Sequence, residues 1–280
     1  MKNKKFHIWK NVYLVIISII TLICVGIGVK ELVKDAKVGI EMFSGKSYGK
    51  KVERTDSFRD FSRIELNVKV ANVDIVKKHN ISEPSYSFHG NRNLMPKLEV
   101  KGDTLKVNQA YDSNLFPSVL KRQNLVIYIP DNYKLENILG TVNNGNCMID
   151  GLDCKKIDVT CNVGNMDASN IKSDELIIKS NIGDIQVSDS KLKSVKAITD
   201  TGDVDLEEIY ADSYELSSDC GDVEISASEL DYEEYSMDIN CNTGDIEIAG
   251  KDYEGTYRSK EKGNKFFKIK TSVGDVSLEN

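Results

Sequence analysis

The amino-acid sequence predicts an all-β protein, a parallel β-solenoid, preceded by one transmembrane helix. Two observations predict the solenoid: a short glycine-centred phrase recurs through the second half of the chain, and apolar residues alternate with polar ones on both sides of each glycine. An uncharged apolar stretch near the N-terminus predicts the helix. The repeat glycines, the first five of which are nineteen residues apart, are Gly145, Gly164, Gly183, Gly202, Gly221, Gly244 and Gly274. A fixed period of about 20–50 residues is typical of solenoids, propellers and arrays.

Each repeat contains two short strands. After the glycine, pairs such as Val204 and Leu206 flank a polar residue, which is the alternation of a half-buried strand. Before the glycine, pairs such as Val195 and Ala197 form a second strand, and a third apolar residue such as Ile209 begins the return path. Because one repeat cannot bury its apolar side alone, stacked neighbours must share a continuous core, in coils of about 19 residues. A β-propeller fits less well, since each blade needs about 40 residues and four strands.

The turn between the two strands is made of glycine, Asn and Asp, which tolerate positive φ or bond their own backbone. An aspartate follows the glycine in several repeats: Asp184, Asp203, Asp222 and Asp245. Stacked about 4.8 Å apart, these carboxylates would repel one another by about 1 kcal/mol even in water. We expect turn backbone N–H groups to compensate for this repulsion. Ca²⁺ is the alternative, although it needs about six to eight oxygens and the calcium-binding nonapeptide GGxGxD is absent. We expect no other cofactor.

The N-terminal region is predicted to anchor the protein in a membrane. Residues 1–10 form a basic leader with four lysines, and residues 11–29 carry no charge. The stretch 11–30 is long enough to span a bilayer, and the lysines before it place the N-terminus in the cytoplasm and the rest of the chain outside. A cleaved signal peptide is the alternative, but its apolar region is usually about 7–15 residues. We therefore expect a single-pass cell-membrane protein whose signal-anchor helix contacts the lipid bilayer through residues 11–30.

The remaining chain divides into a mixed-charge stalk or linker, 31–57, and a β-solenoid domain, 58–280. In that domain, 58–140 are predicted to form irregular N-terminal cap coils and 141–280 the regular coils. Within the cap, residues 72–75 echo the later phrase with Ala71 in the place of the glycine, which predicts a degenerate first coil. The sequence around Gly102 predicts a hairpin. The far end of the solenoid could be bare, shielded by the insertion at 249–265, or paired with a partner.

The opening FxxFxxIEL (Phe58, Phe61, Ile64), the strand end at Ile129–Pro130 and the GDV/GDI coils resemble a known family. It is the bacterial "putative adhesin" domain-of-unknown-function family of β-solenoids, and the resemblance covers the chain from about Phe58 onward. It implies a right-handed β-helix and an envelope role. The membrane-tethered layout is similar to that of members found beside envelope stress-response regulators. The resemblance brings no catalytic residue set with it.

The charge of the chain is uneven. The formal net charge is −7, and the basic leader leaves −11 for the rest, which argues against a nucleic-acid partner. Between residues 203 and 235 stand thirteen acidic residues, interleaved with tyrosines and without Lys or Arg. This run is either a solvated outer face or a docking surface for cations, such as a cationic peptide. The residues of that candidate ligand surface are Tyr210, Tyr214, Glu229, Tyr232, Glu233 and Glu234.

Two other features have competing interpretations. The basic stretch 258–270 is a solvated loop, a contact for anionic lipid or wall polymer, or a segment that folds back on the acidic coils. Of the five cysteines beyond the anchor, Cys161 and Cys241 occupy a position that other repeats fill with Ser or Thr. We therefore expect small core residues there, with an inter-coil disulfide as the alternative. No cysteine pair has CxxC spacing, so a zinc site is not predicted.

These observations predict a binding or sensing surface in the bacterial cell envelope, with an envelope protein, a cationic peptide or a wall polymer as partner. A surface adhesin or structural protein is the alternative. A polysaccharide-active enzyme is less compatible, because the histidines His7, His79 and His89 lie outside the repeats. Abundant carboxylates on a solenoid face are not in themselves an acid–base pair. We therefore predict that the protein is not an enzyme, and no catalytic residue or metal ligand is assigned.

Overall fold

A computed structural model describes residues 51–109, 123–259 and 264–279. These residues form β-strands with short 3-10 helices at Arg92–Leu94 and Tyr232–Glu234, which confirms the all-β prediction. The predicted leader, the transmembrane helix 11–30 and stalk residues 31–50 lie outside the described ranges. In the part of the chain that is described, no helix has the length and apolar character needed to span a membrane.

The strands are numbered in chain order. They are β1 Lys51–Ser57, β2 Arg63–Val70, β3 Asn72–Lys78, β4 Ser85–Asn91, β5 Lys97–Lys101, β6 Thr104–Asn108, β7 Asn124–Pro130, β8 Lys134–Asn144, β9 Cys147–Asp150, β10 Asp153–Val163, β11 Met166–Ser169, β12 Lys172–Ile182, β13 Ile185–Ser188, β14 Lys191–Thr201, β15 Val204–Glu207, β16 Ser213–Cys220, β17 Val223–Ser226, β18 Ser236–Ile248, β19 Lys251–Arg258, β20 Phe266–Val273 and β21 Val276–Glu279.

The regular part of the chain is a stack of parallel coils, each with a long strand before the glycine and a short strand after it. Long strands β8, β10, β12, β14 and β16 pair in parallel with one another, and so do short strands β9, β11, β13, β15 and β17. Val204 lies opposite Val223 in this register, as predicted. The predicted inward pairs are all buried, so consecutive coils share one continuous core.

The glycine of each turn is required by close approach of the neighbouring coil. Gly183 has φ +142°, and a Cβ there would lie 2.2 Å from the carbonyl oxygen of Gly164. Such a contact is far inside van der Waals distance, and an L side chain is strained at this φ. The degenerate first coil follows the same rule, since Gly145 packs on the Ala71 carbonyl in the place where a glycine would stand.

The N-terminal part is more regular than predicted. Strands β2 and β3 pair directly with β8 and β9, so the degenerate coil stacks on the first regular coil, which begins at Lys134 rather than at 141. The hairpin at Gly102 is confirmed as the antiparallel pair β5–β6. Residues 51–57, assigned to the stalk, instead form β1, which pairs antiparallel with β4. Their polar sequence is explained by this edge position, where most of the side chains face solvent.

The C-terminal coil is not last in the stack. Strand β20 pairs with β16 on one side and with β18 on the other, and β21 likewise lies between β17 and β18. Elements that follow one another in the chain are usually neighbours in space, and these last coils are an exception. Gly274 therefore packs on Gly221, and Gly244 packs on Gly274.

Strand β19, from the 249–265 insertion, covers the far end by pairing antiparallel with β18. The register shifts between Asn240 and Asp245, and Gly255 at φ +69° lies opposite this irregularity. A bulged, charged strand of this kind discourages further edge pairing. Of the three arrangements considered for this end, the shielding insertion is the one found.

Candidate functional site: an acidic groove

The acidic run folds into a groove at the return path of the coils, next to the third apolar position. The groove has a volume of about 280 Å³. Its carboxylates are Asp212, Glu229, Asp231 and Glu234, and its remaining lining is Leu192, Tyr210, Ala211, Leu230, Tyr235 and Lys265. The four carboxylate residues are exposed, whereas Leu192, Ala211, Leu230 and Tyr235 are buried and form the floor. We call this site the acidic groove.

The groove is shaped by the segment between β17 and the second 3-10 helix, where the repeat pattern ends. The chain turns at Leu230, whose N–H donates to the Ala227 carbonyl at 3.1 Å. Asp231 then caps the 3-10 helix, since its Oδ1 accepts from the Glu233 N–H at 2.9 Å. A cap of this type satisfies a donor that would otherwise lack a partner at the start of the helix. The turn holds Glu229 and Asp231 at the same mouth of the groove.

Three of the tyrosines are core residues, which corrects the prediction that Tyr214 and Tyr232 contact a ligand. Tyr214, Tyr232 and Tyr235 are buried around Phe267, with the Tyr214 ring stacked on it at 4.3 Å between centroids. Their hydroxyls donate to backbone carbonyls, that of Tyr214 to Ile209 at 2.7 Å. Burial raises the pKa of Tyr214 and Tyr232. A buried hydroxyl with its hydrogen bond satisfied is a packing feature.

Tyr210 lines the wall of the groove. It is half-buried, and its hydroxyl donates to the carboxylate of Glu208. The Ser228 N–H donates to the same carboxylate at 3.1 Å. The bond from Tyr210, followed by those from Ser228, lowers the pKa of Glu208. The ring of Tyr210 is therefore held in one orientation by a charged acceptor.

Lys265 closes one side of the groove. Its Nζ lies 2.6 Å from Oε2 of Glu234 and 5.3 Å from the ring centroid of Tyr235. The hydrogen bond to Glu234 is the main cause of the raised pKa of Lys265. Lys268 and Arg258 likewise pair with Glu215 and Asp238. These contacts favour the alternative in which the basic stretch folds back on the acidic coils; residues 260–263 lie outside the described ranges.

The predicted surface residues are divided among three places, the first of which is the buried core with Tyr214 and Tyr232. Tyr210, Glu229 and Glu234 line the acidic groove. Glu233 lines a neighbouring cavity of about 250 Å³ under β19, together with Tyr253 and Tyr257. The sequence analysis missed Asp212, Asp231 and Lys265 as groove residues. Asp212 and Asp231 belong to the acidic run, but Lys265 is brought in by β20, whose position the sequence does not reveal.

The aspartates after the glycines bond from coil to coil. Asp184 Oδ1 accepts the N–H of Asp203 at 3.1 Å, and Asp203 Oδ1 accepts the N–H of Asp222 at 2.9 Å. Backbone N–H groups therefore compensate for the repulsion between these carboxylates. The N–H groups belong to the next coil rather than to the turn of the aspartate itself. In the described ranges no group of three or more His, Cys, Asp or Glu side chains is arranged to hold a metal ion.

Four of the five cysteines in the described ranges are buried. Cys147, Cys154, Cys161 and Cys241 are buried free thiols, whereas Cys220 is exposed. Burial is the main cause that raises the pKa of Cys154 and of Cys161 to about 11. Thiols of this kind are poor nucleophiles at neutral pH. His79 pairs through Nδ1 with Asp131 Oδ1 at 2.8 Å on the surface.

Several solved structures are similar to this chain. One is described as a "putative adhesin" from Bacteroides fragilis, with 15% identity and a TM-score of 0.45; the match covers 82% of this chain and 97% of that one. A second is a "putative cell adhesion protein" from Clostridium sporogenes, with 14% identity, TM-score 0.43 and coverages of 82% and 99%. A third is a "putative adhesin" from Parabacteroides distasonis, with 12% identity, TM-score 0.42 and coverages of 83% and 98%.

No curated protein matches the chain. Residues 61–213 match the model of the family described as Toastrack DUF4097. The match begins at Phe61, in the opening that carries the resemblance noted in the sequence, and extends through the coils to β16. More than half of the chain is covered, and the protein belongs to the Toastrack DUF4097 family.

Proposed function

We propose that the protein is a membrane-anchored binding or sensing module of the bacterial cell envelope, and that its acidic groove takes up a cationic group of its partner. The observation that carries the proposal is the convergence of Asp212, Glu229, Asp231 and Glu234 above an apolar and aromatic floor. The proposed address is a single-pass cell-membrane protein with the solenoid outside the cell, supported by the charge pattern of residues 1–30.

The size of the groove limits what it can hold. At about 280 Å³ it is just below the range of about 300–1,000 Å³ that is usual for small-molecule pockets. A single lysine or arginine side chain fits this volume, and the rest of a cationic peptide would extend along the surface. Tyr210 supplies a ring for contact with the cation. Lys265 pairs with Glu234, and the exposed carboxylates of Glu229, Asp231 and Asp212 line the rest of the groove.

The stack holds the segments that line the groove. Only Leu192 of the lining lies within a strand, and the other residues are on the segments before β16, β18 and β20. The Leu192 N–H donates to the Tyr210 carbonyl at 3.3 Å and the Phe266 N–H to the Asp212 carbonyl at 3.1 Å, so the segment before β16 is tied to β14 and β20. Acidic side chains on a fixed surface concentrate cations and speed their encounter, and added salt screens this attraction. We propose that occupancy of the groove is how the module reports cationic agents at the envelope, in keeping with a role in envelope stress.

The proposal is tested on the full chain in lipid nanodiscs with a fluorescent Lys/Arg-rich decapeptide as the probe. The double change Glu229→Gln and Asp231→Asn keeps the side-chain shapes, and Asn can still cap the 3-10 helix. We expect affinity to fall by about 30-fold, since each of the two lost charge–charge contacts contributes about 1 kcal/mol in water. The loss should shrink as the salt concentration rises.

The matched control is Asp252→Asn with Glu254→Gln, which removes two carboxylates from β19 outside the groove lining. This control should bind the decapeptide like the unchanged protein. An equal loss of affinity in both variants would show that only the net charge matters. An affinity that does not change with salt concentration would contradict electrostatic binding in the groove.

A further inference from the structure

A second surface lies at the glycine turns, away from the residues of the acidic groove. The residue just before each repeat glycine is exposed, and in the middle coils it is mostly aliphatic: 45% of Val163, 55% of Ile182 and 52% of Val273 is accessible to solvent. Thr201 and Cys220 hold the same position and are also exposed. We call these five residues, Val163, Ile182, Thr201, Cys220 and Val273, the aliphatic ridge.

The ridge is continuous because its residues are stacked in register. Val163 lies opposite Ile182, Ile182 opposite Thr201, and Thr201 opposite Cys220. Cys220 in turn lies opposite Val273, because β20 is inserted beside β16. Four steps of about 4.8 Å make a ridge about 19 Å long. If the coils followed chain order, Thr243 would lie next to Cys220. The inserted C-terminal coil places Val273 there instead and so extends the exposed aliphatic surface.

The backbone of the ridge is fixed. The carbonyl of each ridge residue accepts the N–H of the repeat glycine in the preceding coil, for example Gly164 N–H to Ile182 at 2.9 Å and Gly183 N–H to Thr201 at 2.8 Å. The ridge is a preformed surface, so its own backbone would lose little conformational entropy when a partner binds.

Strand propensity alone does not account for the aliphatic side chains. β-Branched residues do pack well along a ladder, but Thr201 shows that a polar β-branched residue fits the same position. The ridge is also bounded, since Asn144 holds the position at one end and Thr243 at the other. An exposed apolar patch with polar limits is typical of an interaction site.

The surroundings of the ridge are strongly acidic. In the seven regular turns, the four positions from two before the glycine to one after it contain seven aspartates and no Lys or Arg. They are Asp184, Asp200, Asp203, Asp219, Asp222, Asp245 and Asp275. Each is exposed, and one row precedes the ridge along the chain while the other follows it. Such a surface matches a partner with an apolar stripe and positive charges beside it.

We propose that the aliphatic ridge docks a cationic amphipathic helix of a partner protein, laid along the axis of the stack. A helix rises about 1.5 Å per residue, so about 13 residues match the ridge. Apolar residues repeated at i, i+3 or i+4, i+7 and i+11 form one face of such a helix and would follow the ridge from Val163 and Ile182 to Val273, and Lys or Arg beside them would meet the aspartate rows. A second copy of this chain fits less well, because two copies would bring acidic rows against each other. The proposal stands independently of the acidic groove.

Cys220 provides a reporter inside the ridge. The test uses the full chain in nanodiscs and a synthetic 14-residue helix of Leu and Lys with one apolar face. The alkylation rate of Cys220 is followed by mass spectrometry of the peptide that contains it. We expect a saturating amount of the helix to slow alkylation at least tenfold, and a peptide of the same composition in scrambled order to leave it unchanged.

The decisive variant is Val163→Thr, Ile182→Thr and Val273→Thr, which keeps β-branched side chains in the ladder. We expect it to need at least tenfold more helix for the same protection of Cys220, with an unchanged melting temperature. The variant Glu229→Gln with Asp231→Asn should retain full protection, which separates this site from the acidic groove. Equal protection of the threonine variant, or equal protection by the scrambled peptide, overturns the proposal. So does a dimer that the threonine variant abolishes while the helix has no effect, which would assign the ridge to a second copy.

Discussion

In six of the seven regular repeats, a small side chain near the glycine links neighbouring coils. Three positions before the repeat glycine, the side chain donates to the carbonyl of the neighbouring coil's glycine. The donors are Cys161, Ser180, Thr199, Ser218, Cys241 and Thr271, and all of them are buried. The prediction that Cys161 and Cys241 fill a Ser/Thr position is confirmed. Their thiols make the same bond as the hydroxyls, which explains why cysteine is accepted there.

We expect Thr199→Val to destabilise the protein by about 1–3 kcal/mol, because the Gly183 carbonyl loses the hydroxyl that donates to it at 2.9 Å. Val has nearly the same shape as Thr, so the change removes the hydrogen bond and little packing. Urea unfolding of the full chain measures the effect. Thr201→Val is the matched control, since Thr201 is exposed two residues away and its change should be nearly neutral. Similar losses in both variants would contradict the role assigned to the buried hydroxyl.

The tyrosines show where sequence reasoning fails at single residues. Tyr214 stands two positions before Leu216, in the inward register of its strand, so the alternation itself predicts its burial. The abundance of acids around it suggested a surface instead. Tyr232 and Tyr235 lie on a 3-10 segment outside the repeat, where no periodicity assigns a direction to the side chain. Their contact with Phe267 depends on a strand that follows later in the chain.

The order of the last coils is the main difference between sequence and structure at the level of strands. The repeat predicts which residues face inward in each coil, but all coils share one register, so it does not say which coil neighbours which. Sequential elements are usually adjacent, and this rule fails for β16 and β18, because β20 lies between them. Specific side chains favour the observed order: Phe267 stacks on Tyr214, and Lys268 pairs with Glu215. The insertion at 249–265 gives the chain the length to return between the two coils.

Engineered disulfides test this order. Glu224 lies directly opposite Ser277 across β17 and β21, whereas Glu247 lies one strand further away. In a Cys220→Ser background, we expect Glu224→Cys with Ser277→Cys to form a disulfide under mild oxidation, since adjacent strands about 4.8 Å apart are within bridging distance. Glu224→Cys with Glu247→Cys should stay reduced. Mass spectrometry of the digested protein identifies the bond, and the reverse result would restore the sequential order.

For the molecule as a whole, the stack is parallel in the middle and antiparallel at both ends. Strands β1 and β5 lie at one end and β19 at the other, and each pairs antiparallel with its neighbour. Ion pairs join Glu99 to Lys97 and Lys101 on β5, and a charged edge strand resists association with other chains. The coils could be predicted because their glycine phrase and alternating strands recur in sequence. The hairpin of β5 could be predicted from its turn, but β1 and β19 could not, because edge protection needs only polar, bulged or charged strands and has no fixed pattern.

The acidity of the whole stack also has a cost in stability. Asp205 lies opposite Glu224 in the short-strand ladder. Burial and the neighbouring Glu207 raise the pKa of Asp205, and burial followed by Asp205 raises that of Glu224. An acid whose folded pKa is raised destabilises the fold when it is charged, so this penalty is present at neutral pH. It disappears as the pH falls through the raised folded pKa towards the ordinary value of about 3.9.

We therefore expect Asp205→Asn to stabilise the protein at pH 7 by about 1 kcal/mol, the repulsion of two like charges near 4 Å in water. The gain in melting temperature should vanish at about pH 3, where the original carboxyl is protonated in both states. Glu215→Gln should behave in the opposite way, because the bond from Lys196 lowers the pKa of Glu215 and its charge stabilises the fold above the ordinary pKa. Melting curves from pH 3 to pH 8 measure both. If Asp205→Asn loses stability at pH 7, Asp205 has a favourable contact that outweighs its repulsion by Glu224 and Glu207.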